Sequence, residues 1–205
     1  MARVIAVTNQ KGGVGKTTTC VNLAASLAAT KRRVLLVDMD PQGNATMGSG
    51  VDKNTLELSG YDVLTKRASP AEVIVKTDAS GFDLLPANGD LTAAEVELMN
   101  EIGREHRLRL ALNSVRENYD YILIDCPPSL NLLTVNSLSA ADSVLIPMQC
   151  EYYALEGLAA LMNTVEQIKE TVNPNLEIEG ILRTMYDPRN SLTLDVSGQL
   201  SEYFG

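Results

Sequence analysis

Residues 9–18 read Asn9-Gln10-Lys11-Gly12-Gly13-Val14-Gly15-Lys16-Thr17-Thr18, and this stretch decides the fold. An apolar, β-branched run at residues 3–8 comes before it and predicts a buried strand. Residues 19–29 follow, and their apolar side chains recur at helical spacing. A strand, a glycine-rich loop and a helix in this order are the setting that a phosphate-binding loop requires.

The chemistry of the loop fits a nucleoside triphosphate. Its glycines let the backbone curl so that successive amide groups face one anion, and the positive end of the helix dipole adds to this cradle. Lys16 is expected to neutralise the β- and γ-phosphates, and Thr17 to place a hydroxyl on Mg²⁺. The predicted nucleotide-binding residues are Lys11, Gly12, Gly13, Val14, Gly15, Lys16, Thr17 and Thr18.

The loop departs from the ordinary pattern G-x-x-x-x-G-K-S/T. Gln10 stands where the first glycine would fall, and a second lysine, Lys11, follows it. The residues resemble the deviant Walker A motif, K-G-G-x-G-K-T-T, of the ParA/MinD group of ATPases. This resemblance implies that Lys11 reaches across a dimer interface to the partner's nucleotide and is catalytic together with Lys16. It also implies that Gly12 lies in that interface, where two backbones come close.

Acidic residues follow two further apolar runs. Residues 33–37 and 119–124 predict buried strands, which end in Asp38, Asp40 and Asp125. Ligands of open α/β sheets bind beyond the carboxyl ends of the strands, so we expect these residues to meet the phosphate loop. Asp125 has the position of a Walker B carboxylate, which holds Mg²⁺ directly or through water. The predicted metal residues are therefore Thr17, Asp38 and Asp125.

Asp40 receives a different role. In the partition ATPases that this chain resembles, the matching residue is tied to hydrolysis, so Asp40 is predicted to be catalytic. Aspartate is a weak base at neutral pH, and we expect it to position the attacking water rather than to abstract its proton. The alternative is that Asp38 or Asp40 only caps the turn before Pro41.

Alternating strands and helices predict one α/β domain over residues 1–205, with a mostly parallel twisted sheet and helices on both faces. Further helices are expected at 56–64, 70–75, 91–100, 104–117, 155–171 and 192–204, and strands at 81–86, 143–147 and 177–184. The resemblance to the ParA proteins covers essentially the whole chain, including residues 37–46, 125–129 and 149–157. It implies a deviant Walker A P-loop NTPase that is truncated and lacks its C-terminal strand and helix.

The net charge of the chain indicates which kinds of partner it can bind. Lys and Arg number 17 against 26 Asp and Glu, and a net charge of −9 argues against a broad nucleic-acid surface. Chromosomal ParA proteins nevertheless bind DNA without sequence preference through basic residues on their dimer. One of these matches Arg189, which is our candidate for DNA binding. The alternative interpretation of Arg189 is a solvated surface arginine.

Cysteine usage and hydropathy bear on the compartment. Cys20, Cys126 and Cys150 are widely separated and lack metal-ligand spacing, which is typical of reduced thiols in a cytoplasmic protein. No apolar run is long enough to cross a bilayer, and the start lacks a secretion signal, so no stable membrane insertion is expected. The resemblance further implies association with the nucleoid.

The resemblance implies an ATP-dependent dimerisation switch in chromosome or plasmid segregation. ATP with Mg²⁺ would bridge a homodimer that binds DNA, and a ParB-type centromere-binding protein would stimulate slow hydrolysis. Three alternatives stay open: a MinD-like membrane-cycling ATPase, an iron–sulfur carrier that uses Cys126, and a nucleotide-binding fragment without hydrolysis.

Overall fold

The computed structural model describes residues 1–77 and 80–204. Within them one sheet contains β1 (Arg3–Val7), β2 (Val34–Asp38), β3 (Val75–Lys76), β4 (Asp83–Leu85), β5 (Tyr121–Asp125), β6 (Ser143–Gln149) and β7 (Glu177–Thr184). The order across the sheet is β3-β4-β2-β5-β1-β6-β7. Only the pair β3 and β4 is antiparallel among these strands. The predicted mostly parallel sheet is confirmed.

The helices lie between the strands along the chain. The α-helices of the described residues are α1 (Lys16–Ala29), α2 (Asn44–Gly48), α3 (Gly60–Leu64), α4 (Pro70–Val73), α5 (Leu91–Glu97), α6 (Arg107–Asn113), α7 (Leu132–Ala140), α8 (Ala154–Thr171) and α9 (Ser191–Phe204). In that part of the chain, no helix is both long and apolar enough to cross a membrane.

Apolar side chains on both faces of the sheet explain why helices cover both sides. Successive side chains of a strand point to opposite faces. Leu35 and Val37 of β2 therefore join the core that α5 to α8 cover. Leu36, between them, packs in a second core with Cys20 and Ala24 of α1. The predicted arrangement of helices on both faces is confirmed.

Some elements differ from the sequence predictions. The helix expected at 104–117 is only α6, with 3₁₀ turns at Arg104–His106 and Arg116–Asn118. Just after α6, the Ser114 hydroxyl donates a hydrogen bond to the carbonyl of Ala111, which competes with helix continuation. Helix α7 was not predicted because it is buried on nearly all sides and lacks a polar face. Strand β3 has only two residues, too few for a pattern.

The register of the sheet places three strand ends at the same level. Asp38 of β2 lies opposite Asp125 of β5, and Asp125 lies opposite Val7 of β1. The loops that follow these three strands therefore start side by side. This level edge positions the site described next.

Candidate nucleotide site

The glycine-rich loop leaves β1 and ends where α1 begins. Gly13 and Gly15 have φ angles of +76° and +86°, a left-handed backbone that other residues adopt only with strain. The carbonyl of Gly15 accepts the first helical hydrogen bond, at 2.9 Å from the amide of Thr19. A Cβ atom added to Gly12 or Gly13 would meet nothing within 4 Å, so this face of the loop is open.

A cavity of about 610 Å³ lies at the carboxyl edge of the sheet, where the loops after β1, β2 and β5 meet. It is lined by Gly12, Gly13, Gly15, Lys16, Thr17, Thr18, Asp40, Pro41, Gln42, Asn44, Thr92, Pro127, Pro128 and Ser129. The structure thus brings together most of the residues that the sequence assigns to a nucleotide. Lys11 and Val14 are the predicted nucleotide-binding residues outside this lining, and the side chain of Val14 is buried.

Lys16 is held inside the curl of the loop. Its amine donates a hydrogen bond to the carbonyl of Lys11 at 3.0 Å, and the residue is buried although it lines the cavity. Burial lowers the pKa of the amine, and the nearby carboxylate of Asp125 opposes that shift. A cation with few other partners in a polar cavity suits a phosphate group.

Asp125 is buried against Thr17 of the cavity lining. Its Oδ2 accepts a hydrogen bond from the Thr17 hydroxyl at 2.7 Å, and its Oδ1 accepts one from the Cys20 thiol at 3.5 Å. Burial raises the pKa of Asp125 to about 7, and the charge of Asp38 adds to the rise. A buried carboxylate in contact with a hydroxyl offers the oxygen ligands that Mg²⁺ prefers.

The contact between Thr17 and Asp125 also fits the coordination that Mg²⁺ prefers. Across residues 1–77 and 80–204, no group of three or more His, Cys, Asp and Glu side chains could hold a metal ion. Mg²⁺ takes only one or two carboxylates and completes its shell with water and phosphate oxygens. That Thr17 and Asp125 hold Mg²⁺ stays a prediction.

Asp38 lies opposite Asp125 on the neighbouring strand. Its Oδ2 accepts hydrogen bonds from the amide and hydroxyl of Thr46, at 2.8 and 2.7 Å, and its Oδ1 accepts one from the amide of Asp40 at 3.1 Å. The side chain is fully buried, and burial raises its pKa to about 6. The structure thus uses both carboxylate oxygens to hold the next loop, and a role for Asp38 with the metal stays a prediction.

Asp40 lines the same cavity as the phosphate loop. Its Oδ1 accepts a hydrogen bond from the amide of Gln42 at 2.9 Å, which caps the turn at Pro41. Asp40 therefore both caps this turn and lines the cavity. The catalytic role of Asp40 stays a prediction.

The Lys11 side chain contacts another residue of its own chain. Its amine forms an ion pair with the carboxylate of Glu151, which follows the end of β6. Its backbone amide donates a hydrogen bond to the Asn9 side chain at 3.0 Å. Residues 149–157 resemble the ParA proteins, but the neighbouring sequence gives no signal that Glu151 contacts the phosphate loop.

Two threonines brace the site through hydrogen bonds that were not predicted from the sequence. The hydroxyl of Thr184, at the end of β7, donates a hydrogen bond to the carbonyl of Val14 at 2.9 Å. Thr46 holds Asp38 and also accepts a hydrogen bond from the amide of Ala87 at 2.9 Å. Both contacts join distant parts of the chain, so local sequence patterns carry no signal for them.

Arg189 lies in the turn between β7 and α9 and is not among the residues that line the cavity. Its side chain is 89% exposed and forms two hydrogen bonds of 2.9 Å with the carboxylate of Asp187. DNA binding through Arg189 stays a prediction. The three cysteines are buried free thiols, as the sequence indicates.

A mostly parallel sheet in which an inner strand runs through a glycine-rich loop into a helix, with a buried carboxylate at the end of the neighbouring strand, defines the P-loop nucleoside triphosphatase fold. A family model described as an AAA domain matches residues 2–178. The sporulation initiation inhibitor protein Soj of Bacillus subtilis is 54% identical over 204 residues, which is 100% of this chain and 81% of that protein. The chromosome partitioning protein ParA of Caulobacter vibrioides is 51% identical over 205 residues, 99% of this chain and 77% of that protein. The chain belongs to the ParA and Soj family of partition proteins.

Solved structures agree on the fold. A Mycobacterium smegmatis protein, described as cobyrinic acid a,c-diamide synthase, superposes with a TM-score of 0.95 at 43% identity. The match covers 100% of this chain and 83% of that one, which was crystallised with an ATP analog and magnesium.

Proposed function

We propose that this chain is a Mg²⁺-dependent ATPase that acts as a dimerisation switch in the segregation of chromosome or plasmid DNA. The contact of Thr17 with Asp125, beside a cavity that Lys16 and Asp40 line, carries this proposal. The partition names of relatives that are 51–54% identical support the biological process. The nucleotide and magnesium in the M. smegmatis structure support the ligands.

The residues have separate tasks in hydrolysis. Backbone amides of Gly12 to Thr18 and the amine of Lys16 hold the β- and γ-phosphates. Thr17 and Asp125 hold Mg²⁺, which neutralises charge on those phosphates when it is bound. Asp40, which also lines the cavity, orients the attacking water.

Pairing of two copies makes the reaction a switch. In this proposal Lys11 releases Glu151 and binds the nucleotide of the second copy, so the ATP-bound homodimer is favoured. Gly12 lies on the open face of the loop, where a second backbone can approach. The dimer binds nucleoid DNA without sequence preference through Arg189, and a ParB-type centromere-binding protein stimulates otherwise slow hydrolysis. Loss of the γ-phosphate then releases both copies.

Nucleotide binding and turnover test this function separately. We expect Lys16→Ala to lower ATP affinity about a hundredfold or more, because the buried cation on the phosphates is lost. Asp40→Ala should bind ATP normally and accumulate a dimer that turns over at least about tenfold more slowly. Lys76→Ala, an exposed lysine on β3, is the control and should match the wild type in both measurements. Retained tight binding by Lys16→Ala, or normal turnover by Asp40→Ala, would refute the corresponding role.

A further inference from the structure

The turn between β6 and α8 exposes two neighbouring aromatic rings. Tyr152 is 75% exposed and Tyr153 is 68% exposed. The two rings pack edge to face, with their centroids 4.9 Å apart and their planes at 88°. This geometry is a favourable one for aromatic pairs. The turn thus presents two packed aromatic rings to solvent.

The backbone fixes this pair relative to α8. The amide of Ala154 donates a hydrogen bond to the carbonyl of Glu151 at 3.0 Å, and the amide of Gly157 donates one to the carbonyl of Tyr153 at 3.1 Å. The rings therefore lie directly before an 18-residue helix, with Tyr153 at its N-cap position. Few side-chain rotamers need to be frozen when such a surface is covered.

The same turn is joined to the phosphate loop. Glu151, which precedes the two tyrosines, forms the ion pair with Lys11. Lys11 adjoins Gly12, whose open face was described above. The turn that carries the aromatic pair is therefore linked through Glu151 and Lys11 to Gly12, which lines the nucleotide cavity.

We propose that Tyr152 and Tyr153 form the apolar anchor of the contact between two copies of this chain, an inference that rests on the dimer of the proposed function. A two-fold contact presents the same patch from both sides, so the patch must complement itself. Lys11 and Glu151 place one positive and one negative charge beside the rings, which meets this requirement. A strongly basic or strongly acidic partner would match only one of the two charges. Tyrosine is also enriched among residues that dominate interface energies.

The test measures dimerisation by sedimentation velocity with ATP and Mg²⁺. We expect the double variant Tyr152→Ser/Tyr153→Ser to weaken the dimer by at least about thirtyfold. ATP affinity of the monomer should stay within about twofold of the wild type, since the rings touch the second copy and not the nucleotide. Tyr152→Phe/Tyr153→Phe keeps the rings and should dimerise within about threefold of the wild type. Leu110→Ser, at an exposed apolar position on α6, is the matched control and should change neither quantity.

Gly12→Val separates this inference from the proposed function. If Gly12→Val is monomeric with ATP while the double serine variant dimerises like the wild type, the inference is overturned and the ATP dimer stands. If the double variant loses ATP affinity as a monomer, the rings contact the nucleobase instead, which also overturns the inference. A wild-type chain that stays monomeric at saturating ATP would contradict the proposed dimer and the inference together.

Discussion

Asp125 shows how one buried carboxylate prepares a cation site. Its pKa of about 7 lies well above the ordinary 3.8, mainly because burial disfavours the charged form. Asp38, buried beside it, has a pKa of about 6 for the same main reason. A divalent cation bound at Asp125 would compensate the buried negative charge. Metal binding should therefore raise the free energy of unfolding.

Removing the charge at this position should therefore stabilise the metal-free protein. The folded pKa lies above the unfolded one, so the folded state binds more protons between about pH 4 and pH 7, and its stability falls as the pH rises through that window. We expect Asp125→Asn to be more stable than the wild type at pH 8 by roughly 1–4 kcal/mol, a gain that shrinks toward pH 4. Urea unfolding in EDTA over this pH range measures it.

Asp120→Asn is the matched control, and its effect on stability at pH 8 should be opposite to that of Asp125→Asn. Hydrogen bonds from Arg33 lower the pKa of Asp120 to about 2, so its contribution is present above the unfolded pKa and is lost as the pH falls through the folded one. The control should therefore be less stable than the wild type at pH 8, and this difference should disappear in acid. A metal-free Asp125→Asn protein less stable than the wild type at pH 8 would contradict the assigned burial cost.

At the scale of elements, the segment after β2 is fastened at two places. The Thr46 hydroxyl on α2 donates to Asp38 and accepts from the amide of Ala87, which follows β4. Gly43, with a φ of +60°, starts α2, and a Cβ there would lie 2.7 Å from the Ala87 carbonyl. The close approach of these two loops therefore needs both the glycine and the threonine.

Thr46→Val tests this attachment. Valine has nearly the same shape as threonine but leaves Asp38 with one donor fewer and the buried Ala87 amide without its acceptor. We expect the free energy of unfolding to fall by about 1–3 kcal/mol, measured by urea denaturation at pH 7. Thr46→Ser keeps the hydroxyl and should recover most of the loss. Equal stability of the valine variant and the wild type would show that the two hydrogen bonds contribute nothing net.

The contacts of Thr46 illustrate which features of the fold the sequence can predict and which it cannot. Strands β1, β2 and β5 were predictable because long apolar runs need burial on both faces of a parallel sheet. The phosphate loop was predictable because its glycines and lysines lie together in the chain. The contacts of Thr46 with Ala87, of Thr184 with Val14 and of Lys11 with Glu151 were not, since each depends on loops that only the folded sheet brings together.

At the scale of the whole molecule, the negative charge limits where DNA can bind. The net charge is −9, and several surface arginines are already paired with carboxylates: Arg3 with Glu179, Arg33 with Asp120, and Arg67 with Glu97. Arg189 is also paired, with Asp187, but its side chain is the more exposed at 89%. Exposed ion pairs contribute only about 0–1 kcal/mol, so a DNA phosphate can replace Asp187 at little cost.

Arg189→Glu should weaken DNA binding of the ATP form and make its salt dependence shallower. Each phosphate contact that is lost reduces the slope of log K against log salt concentration by about one. Asp187→Asn frees the guanidinium and should strengthen binding, whereas Arg33→Glu, at the opposite end of β2 from the site, should have a smaller effect than Arg189→Glu. Titrations of labelled DNA at several salt concentrations measure all three, with ATP affinity as the check on folding. If the curves for Arg189→Glu and Arg33→Glu coincide, net charge alone governs the attraction, and Arg189 has no special place in it.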